Sequence, residues 1–194
     1  MKERISLVEK AHELTGARLR PGAIAIDATV GNGYDTLFLL QQIAPSGRVY
    51  GFDIQQSALE SARGRIENPV LLNCLSLFHH SHARMEDIIP KPDHGLINAV
   101  MFNLGYLPGS DKTITTRTES TLAALSAASR LLSPQGIITI VAYPGHGGGA
   151  QETEQVRLWC EKLDRERCQF DLIDAKPGDR TAPKLFAVAR KSQA

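Results

Sequence analysis

The sequence predicts an α/β fold in which a doubly wound sheet carries helices on both faces. Three observations lead there. Short apolar runs alternate along the chain with segments of helical spacing, the pattern of repeated βαβ units. The first run, Ala23 to Ile26, ends in Asp27-Ala-Thr29-Val-Gly31-Asn32-Gly33-Tyr34-Asp35 and opens a helical segment with Leu37, Leu40 and Ile43. Gly31 and Gly33 let backbone approach a ligand, and the helix N-terminus adds unpaired N–H groups, so such a turn builds a nucleotide site. The next run, Val49 to Phe52, closes on Asp53 at about the spacing of a carboxylate that accepts hydrogen bonds from ribose hydroxyls.

The elements follow in order. Ile5, Val8, Ala11 and Leu14 recur at three-residue spacing among charged residues, so residues 2 to 15 predict an amphipathic helix, and the segment 1–20 is read as packing on the domain. A helix follows the glycine turn and ends before Pro45-Ser46-Gly47; strand two runs from Arg48 to Asp53, and a helix from about Gln56 to Ile66. Strand three is expected over Val70 to Phe78, and a short helix over Ala83 to Ile89. Ile97 to Phe102 reads as a fully buried strand four, and a long loop is expected from Asn103 to Thr115. Thr116 to Glu119 has capping-box spacing ahead of a helix that buries Leu122, Leu125 and Leu132. Ile137 to Ala142 makes strand five, followed by the glycine-rich Tyr143 to Gly149. A helix with Val156, Trp159 and Leu163 on one face, strand six near Phe170 to Ile173 and strand seven over Lys184 to Ala189 complete the set. Ligands then gather at the C-terminal strand ends.

Composition limits the classes open to the chain. At 194 residues and 42% hydrophobic content it is long enough for one well-buried domain and short for two. A formal net charge of +1 excludes coating of nucleic acid by bulk electrostatics, while a local basic patch stays open. Cys74, Cys160 and Cys168 form no Cys-x-x-Cys pair and are odd in number, which fits reduced thiols. Met1-Lys-Glu-Arg-Ile opens on charged residues, so no secretory leader is expected, and no apolar run approaches a membrane span. A cytoplasmic location follows.

The ligand is set by what the glycine turn lacks. There is no Gly-x-x-x-x-Gly-Lys-Ser/Thr loop for a triphosphate, and Thr36 stands where a dinucleotide fingerprint would carry its third glycine. Asp35 would repel a pyrophosphate yet suits a cationic sulfonium. No tyrosine of the chain is followed by a lysine four residues on, as a nicotinamide oxidoreductase of the Tyr-x-x-x-Lys kind would need. The run Asp-x-Thr-x-Gly-x-Gly-x-Asp, with Asp53 ending the next strand, resembles motifs I and II of class I methyltransferases. The cofactor that resemblance implies is S-adenosyl-L-methionine, in a Rossmann-like, seven-stranded, mostly parallel sheet with an antiparallel final strand.

Beyond strand four, Asn103-Leu104-Gly105-Tyr106-Leu107-Pro108 resembles the Asn/Asp-Pro-Pro-Tyr motif of methyltransferases that modify exocyclic amines, with Leu-Gly where that motif has Pro-Pro. An amide oxygen can accept an amine hydrogen while an aromatic face holds a flat base. His146 is a candidate general base in its glycine-rich loop, with an ordinary exposed histidine as the alternative. Asp111 and Arg117 flank the acceptor loop, as substrate contacts or as a solvated face. His79, His80 and His82 have no partner at a known ligand spacing, so no metal is expected, and Ser81 and His82 fall where adenine sits in this fold.

The order of these pieces, from Asp27 through Pro183, resembles one family: small rRNA-methylase-like proteins now associated with MnmM-type tRNA wobble-uridine methyltransferases. The resemblance rests on Asp27 to Thr36, on Phe52-Asp-Ile-Gln55, and above all on Val100 to Pro108 followed by Thr116 to Thr121. It implies transfer of a methyl group from S-adenosylmethionine to the amine of 5-aminomethyl-2-thiouridine at tRNA position 34, giving the 5-methylaminomethyl product. By the same resemblance Asn32, Asp35, Asp53, Gln55, Ser81 and His82, with Asp27, Thr29, Gly31 and Gly33 of the turn, belong to the cofactor site, and Asn103 and Tyr106 to the reaction edge. Other readings are a methyltransferase for another RNA, such as rRNA, or for a small amine, and a non-catalytic cofactor- or RNA-binding module. The expected partner is the tRNA anticodon region, with pairing into a homodimer left open.

Overall fold

A computed structural model describes residues 6–107, 109 and 114–191; Ile5, Pro108 and Asp111 lie outside the described residues. Among the described residues seven strands, β1 (Ile24–Asp27), β2 (Arg48–Asp53), β3 (Leu75–His79), β4 (Ile97–Leu104), β5 (Leu132–Ala142), β6 (Cys168–Asp174) and β7 (Lys184–Arg190), form one sheet in the order β3-β2-β1-β4-β5-β7-β6. All neighbours pair in parallel except β7, which runs antiparallel to both β5 and β6, as the family resemblance implied. Seven helices, α1 (Leu7–Gly16), α2 (Tyr34–Ile43), α3 (Gln56–Arg65), α4 (Pro69–Asn73), α5 (Met85–Ile88), α6 (Thr118–Leu131) and α7 (Gly149–Glu161), connect and cover it.

Side chains alternate across each strand and so supply two cores, one per face. On β4, Val100 and Phe102 join the cluster that holds Met85 of α5, Leu125 of α6 and Val156 of α7. Ala99 and Met101 point the other way, into a cluster with Ala11 of α1 and Leu39, Leu40 and Ile43 of α2. Burial on both faces is why Ala99 to Phe102 of β4 read as an unbroken apolar run. Among the described residues no helix is long and apolar enough to cross a membrane.

Four expected elements are corrected, the first being strand five, which begins at Leu132 and not at Ile137, so that Leu132 opens β5 and does not belong to α6. The apolar residues Val70 to Leu72 belong to α4, and β3 begins only at Leu75. The physical reason is local: the Asn68 side chain accepts from the Val70 N–H at 2.9 Å and Pro69 fills the first helical position, a helix start. The Thr116 to Glu119 capping box does not form. Arg117 occupies the cap of α6 without a side-chain hydrogen bond, and the Thr116 hydroxyl is engaged elsewhere. Finally, β4 extends through Asn103 and Leu104, so the loop starts at Gly105. Asn103 is thereby held by a strand end and not by a loop.

Candidate functional site

β1 lies between β2 and β4, and the chain leaves its C-terminal end toward one neighbour and that of β4 toward the other, which opens a crevice beyond these strands. A cleft of about 1300 Å³ occupies this place. All the residues expected at the site line it except Asp27 and Gly33. Those two act from behind.

Asp27 is 0% exposed; its carboxylate accepts from the Thr36 hydroxyl at 2.5 Å and from the Thr29 N–H at 3.1 Å, so it fastens the turn to α2. Gly33 has φ of 79°, and a Cβ there would stand 2.6 Å from the Ala62 Cα, so this glycine lets α2 and α3 close on each other. Gly31, at φ 50°, gives its N–H to Asp53 at 2.9 Å, and the other Asp53 oxygen accepts from the Gln55 N–H at 2.9 Å. Both bonds aim the carboxylate into the cleft while each oxygen keeps a second lone pair. Ser81 caps a single turn of tight helix with its hydroxyl toward the Ala83 N–H, which places it and His82 on the cleft wall.

Electrostatics at the turn come from two neighbouring carboxylates. Burial, then the Asp35 charge, pushes the Asp27 carboxyl up to about 7. Its folded-state value exceeds the unfolded one, so it contributes stability that is full below the unfolded pKa of about 4 and is lost as pH rises through 7. Asp27→Asn keeps an acceptor for Thr29 and a partner for Thr36. Denaturant titrations across this pH window should show the wild type losing stability relative to Asp27→Asn as pH rises; parallel pH profiles would contradict the assignment.

Asp35 has a partner that the sequence did not disclose. His12 of α1 places Nε2 2.6 Å from the Asp35 carboxylate, and its ring stacks on Phe38 at 4.0 Å between centroids. Val8 of α1 also reaches the cleft wall. The N-terminal helix, read as packing alone, therefore supports the site directly. The Tyr143 phenol, also on the cleft wall, is pushed up by burial and by the Asp35 charge, so it stays neutral.

The end of β4 is tied to the glycine turn: the Asn103 N–H donates to the Thr29 hydroxyl at 2.7 Å. The Asn103 carboxamide lines the cleft with no hydrogen-bond partner recorded among the described residues. Past Gly105, at φ 151°, the loop is pinned at its base by a bridge between Tyr106 and Thr115 and by the Thr116 N–H on the Gly105 carbonyl at 2.9 Å. Tyr106 is 37% exposed and meets His146 edge-on at 6.1 Å between ring centroids. The His146 Nδ1 lies 3.1 Å from the Gly147 carbonyl, which can only accept, so in the neutral ring Nε2 carries the lone pair. That Nε2 is buried with no partner among the described residues, and a Cβ added at Gly105 would stand 3.7 Å from it. Tyr106 and His146 thus meet on the wall of the cleft that Asn103 also lines. His82 repeats the pattern, with Nδ1 on the Ala28 carbonyl at 3.0 Å and Nε2 buried without a partner among the described residues, and burial pulls its pKa down.

Beneath the loop sits a carboxylate missed at the sequence level. Glu152, 3% exposed in the first turn of α7, accepts from the Thr116 hydroxyl at 2.7 Å and the Thr121 hydroxyl at 2.6 Å. The helix N-terminus favours its charge, and the two bonds lock α6, α7 and the acceptor loop together. An acid in a predicted first turn was the available signal. Arg117 stands at the cleft mouth. His79 turns its Nε2 to the Ile54 carbonyl at 3.0 Å, away from any shared site with His82.

Comparison with known proteins follows this geometry. The family described as "Putative rRNA methylase" matches residues 49–189. An Arabidopsis thaliana protein named tRNA (mnm(5)s(2)U34)-methyltransferase, chloroplastic, is 38% identical over 177 residues, 86% of this chain. The alignment spans 64% of that relative's length. A Clostridium thermocellum structure described in the same terms as the family is 35% identical, covers 94% of this chain and 96% of its own, and superposes with a TM-score of 0.87. A Streptococcus mutans methyltransferase solved in complex with SAH is 30% identical, covers 96% of this chain and 98% of its own, and gives a TM-score of 0.82.

Proposed function

The chain belongs to this rRNA methylase family, and from that premise we propose that it is an S-adenosylmethionine-dependent N-methyltransferase acting on the amine of 5-aminomethyl-2-thiouridine at position 34 of tRNA. The observation that carries the reading is the bond between the Asn103 N–H and the Thr29 hydroxyl, which sets an amine-orienting side chain against the cofactor turn.

The donor set fits the cofactor. Asp53 has lone pairs free for ribose hydroxyls, Asp35 offers negative charge where a sulfonium gains from it, and the glycine turn leaves backbone approachable. When bound, S-adenosylmethionine supplies a methyl carbon on a cationic sulfur, open to direct displacement. The remaining work falls to the chain. An alkylammonium with a pKa near that of lysine, about 10, cannot attack until it loses a proton. The Nε2 lone pair of His146, beside Tyr106, would take the amine proton, and the Asn103 carboxamide oxygen would accept an amine hydrogen and leave the nitrogen lone pair free to attack. Tyr106 presents an aromatic face for a flat base. Among the described residues no cysteine lines the cleft, which suits attack by an amine and not by a ring carbon that needs a covalent thiolate.

The test is methyl transfer to tRNA from a strain lacking the protein, read by mass spectrometry of its nucleosides. 5-Aminomethyl-2-thiouridine should accumulate in that strain and convert to the 5-methylaminomethyl form on addition of protein and S-adenosylmethionine. Conversion of another nucleoside instead would move the acceptor to a different RNA.

A further inference from the structure

This inference rests on the RNA reading above and concerns how the substrate is gripped outside the reaction edge. Tyr34, the first residue of α2, is 63% exposed on the rim of the cleft. It is held flat. The guanidinium carbon of Arg65, at the end of α3, lies 3.7 Å from its ring centroid, and Arg65 Nε donates to the Asn32 carbonyl at 2.6 Å. One face of the ring is therefore taken by a cation fixed to the glycine turn, and the exposure resides on the rest of the ring.

Arg48, Arg84, Arg130, Arg157 and Arg167 each lie within ion-pair distance of a carboxylate. Among the described residues no such pair is found for Arg65 or for Arg117 at the cleft mouth. Six other described arginines also lack such a pair, so position is what distinguishes these two: Arg65 backs the cleft-lining Tyr34, and Arg117 lines the cleft itself. Position links them to the acceptor edge: Leu107 of the acceptor loop stands 3.4 Å from where a Gly31 Cβ would be, three residues before Tyr34, so the ring and the loop share one rim.

We infer that the open face of Tyr34, backed by Arg65, stacks a nucleobase adjoining the acceptor nucleotide, with the guanidinium turned to the RNA backbone. Every base has a π-face, so such a platform adds affinity without reading sequence, and it holds the strand while the acceptor base enters the cleft.

The experiment measures binding of an unmodified anticodon stem-loop by fluorescence anisotropy in the presence of S-adenosylhomocysteine, with calorimetry of S-adenosylhomocysteine alone as the second readout. Tyr34→Leu, which keeps apolar bulk and loses the ring, should weaken RNA binding by roughly fivefold to a hundredfold, and Tyr34→Phe by no more than about twofold. Arg65→Gln should lower the slope of log affinity against log salt by about 0.7. S-adenosylhomocysteine affinity should stay within about twofold in both tyrosine variants. If the wild type binds the stem-loop and Tyr34→Leu binds it equally, the platform is wrong and the acceptor assignment stands. Equal losses of RNA and S-adenosylhomocysteine affinity would make Tyr34 a cofactor residue and overturn the inference. A wild type that binds no RNA removes platform and acceptor assignment together.

Discussion

Asn103→Ala is expected to slow single-turnover methyl transfer to hypomodified tRNA by more than about tenfold, because a lost orienting bond removes more than about 1.4 kcal/mol from the transition state. Cofactor affinity should change far less. The structure explains the separation: what ties Asn103 to the glycine turn is its backbone N–H on the Thr29 hydroxyl, and alanine keeps that N–H. The carboxamide has no recorded partner among the described residues, so its removal strands no buried group and the strand end stays folded. The comparison variant is His146→Ala. If His146 Nε2 takes the amine proton, transfer by that variant should recover as pH is raised toward the amine's own pKa, whereas the Asn103→Ala defect should persist at every pH. Calorimetry of S-adenosylhomocysteine alongside rapid-quench transfer reads both effects. Wild-type transfer rates in Asn103→Ala would end the amine-orienting role, and equal loss of cofactor affinity and turnover would recast the residue as part of the cofactor wall.

How much of this was legible in the sequence depends on the range of each interaction. Local signals sufficed for the sheet and the turn: alternating runs place β1, β2, β4 and β5, and the glycines mark the crevice. Where an apolar run is short, periodicity fails. Val70 to Leu72 fit a buried strand as well as a helix, and the deciding feature was the Asn68-Pro69 start. Contacts between distant segments left no trace. His12 meets Asp35 across 23 positions, and Glu152 reaches Thr116 and Thr121 from another helix, so neither pairing has a spacing to detect. Asp27 illustrates a different gap: its type and place pointed to the cofactor, yet full burial makes it a brace for Thr29 and Thr36. The antiparallel β7 came from family resemblance and not from periodicity, since strand direction has no local signature.

The largest effect on stability is expected from Gly33→Ala, and it is best measured against Gly64→Ala. At Gly33 a methyl group would lie 2.6 Å from the Ala62 Cα and 2.7 Å from its Cβ, distances that only movement of α3 can relieve. The backbone at φ 79° adds a left-handed conformation that costs a side-chain-bearing residue about 1–2 kcal/mol. Overpacking of a close helix contact adds about 1–3 kcal/mol, so the sum is roughly 2–5 kcal/mol. Moving α3 also opens the small cluster of Val30, Leu59 and Ala62 under Leu77, and takes with it Ser61 and Arg65, which reach back to Asn32. Cofactor affinity should therefore fall with stability. Gly64 lies within α3 with no atom close to an added Cβ and no positive φ, so the same substitution there should stabilise the fold by about 0.5–1 kcal/mol through helix propensity. Urea denaturation of the two variants separates steric from conformational effects, because both gain one methyl group and only one has nowhere to put it. A Gly33→Ala protein that unfolds at the wild-type midpoint would mean that α2 and α3 do not approach through this glycine, and the turn's geometry would need another cause.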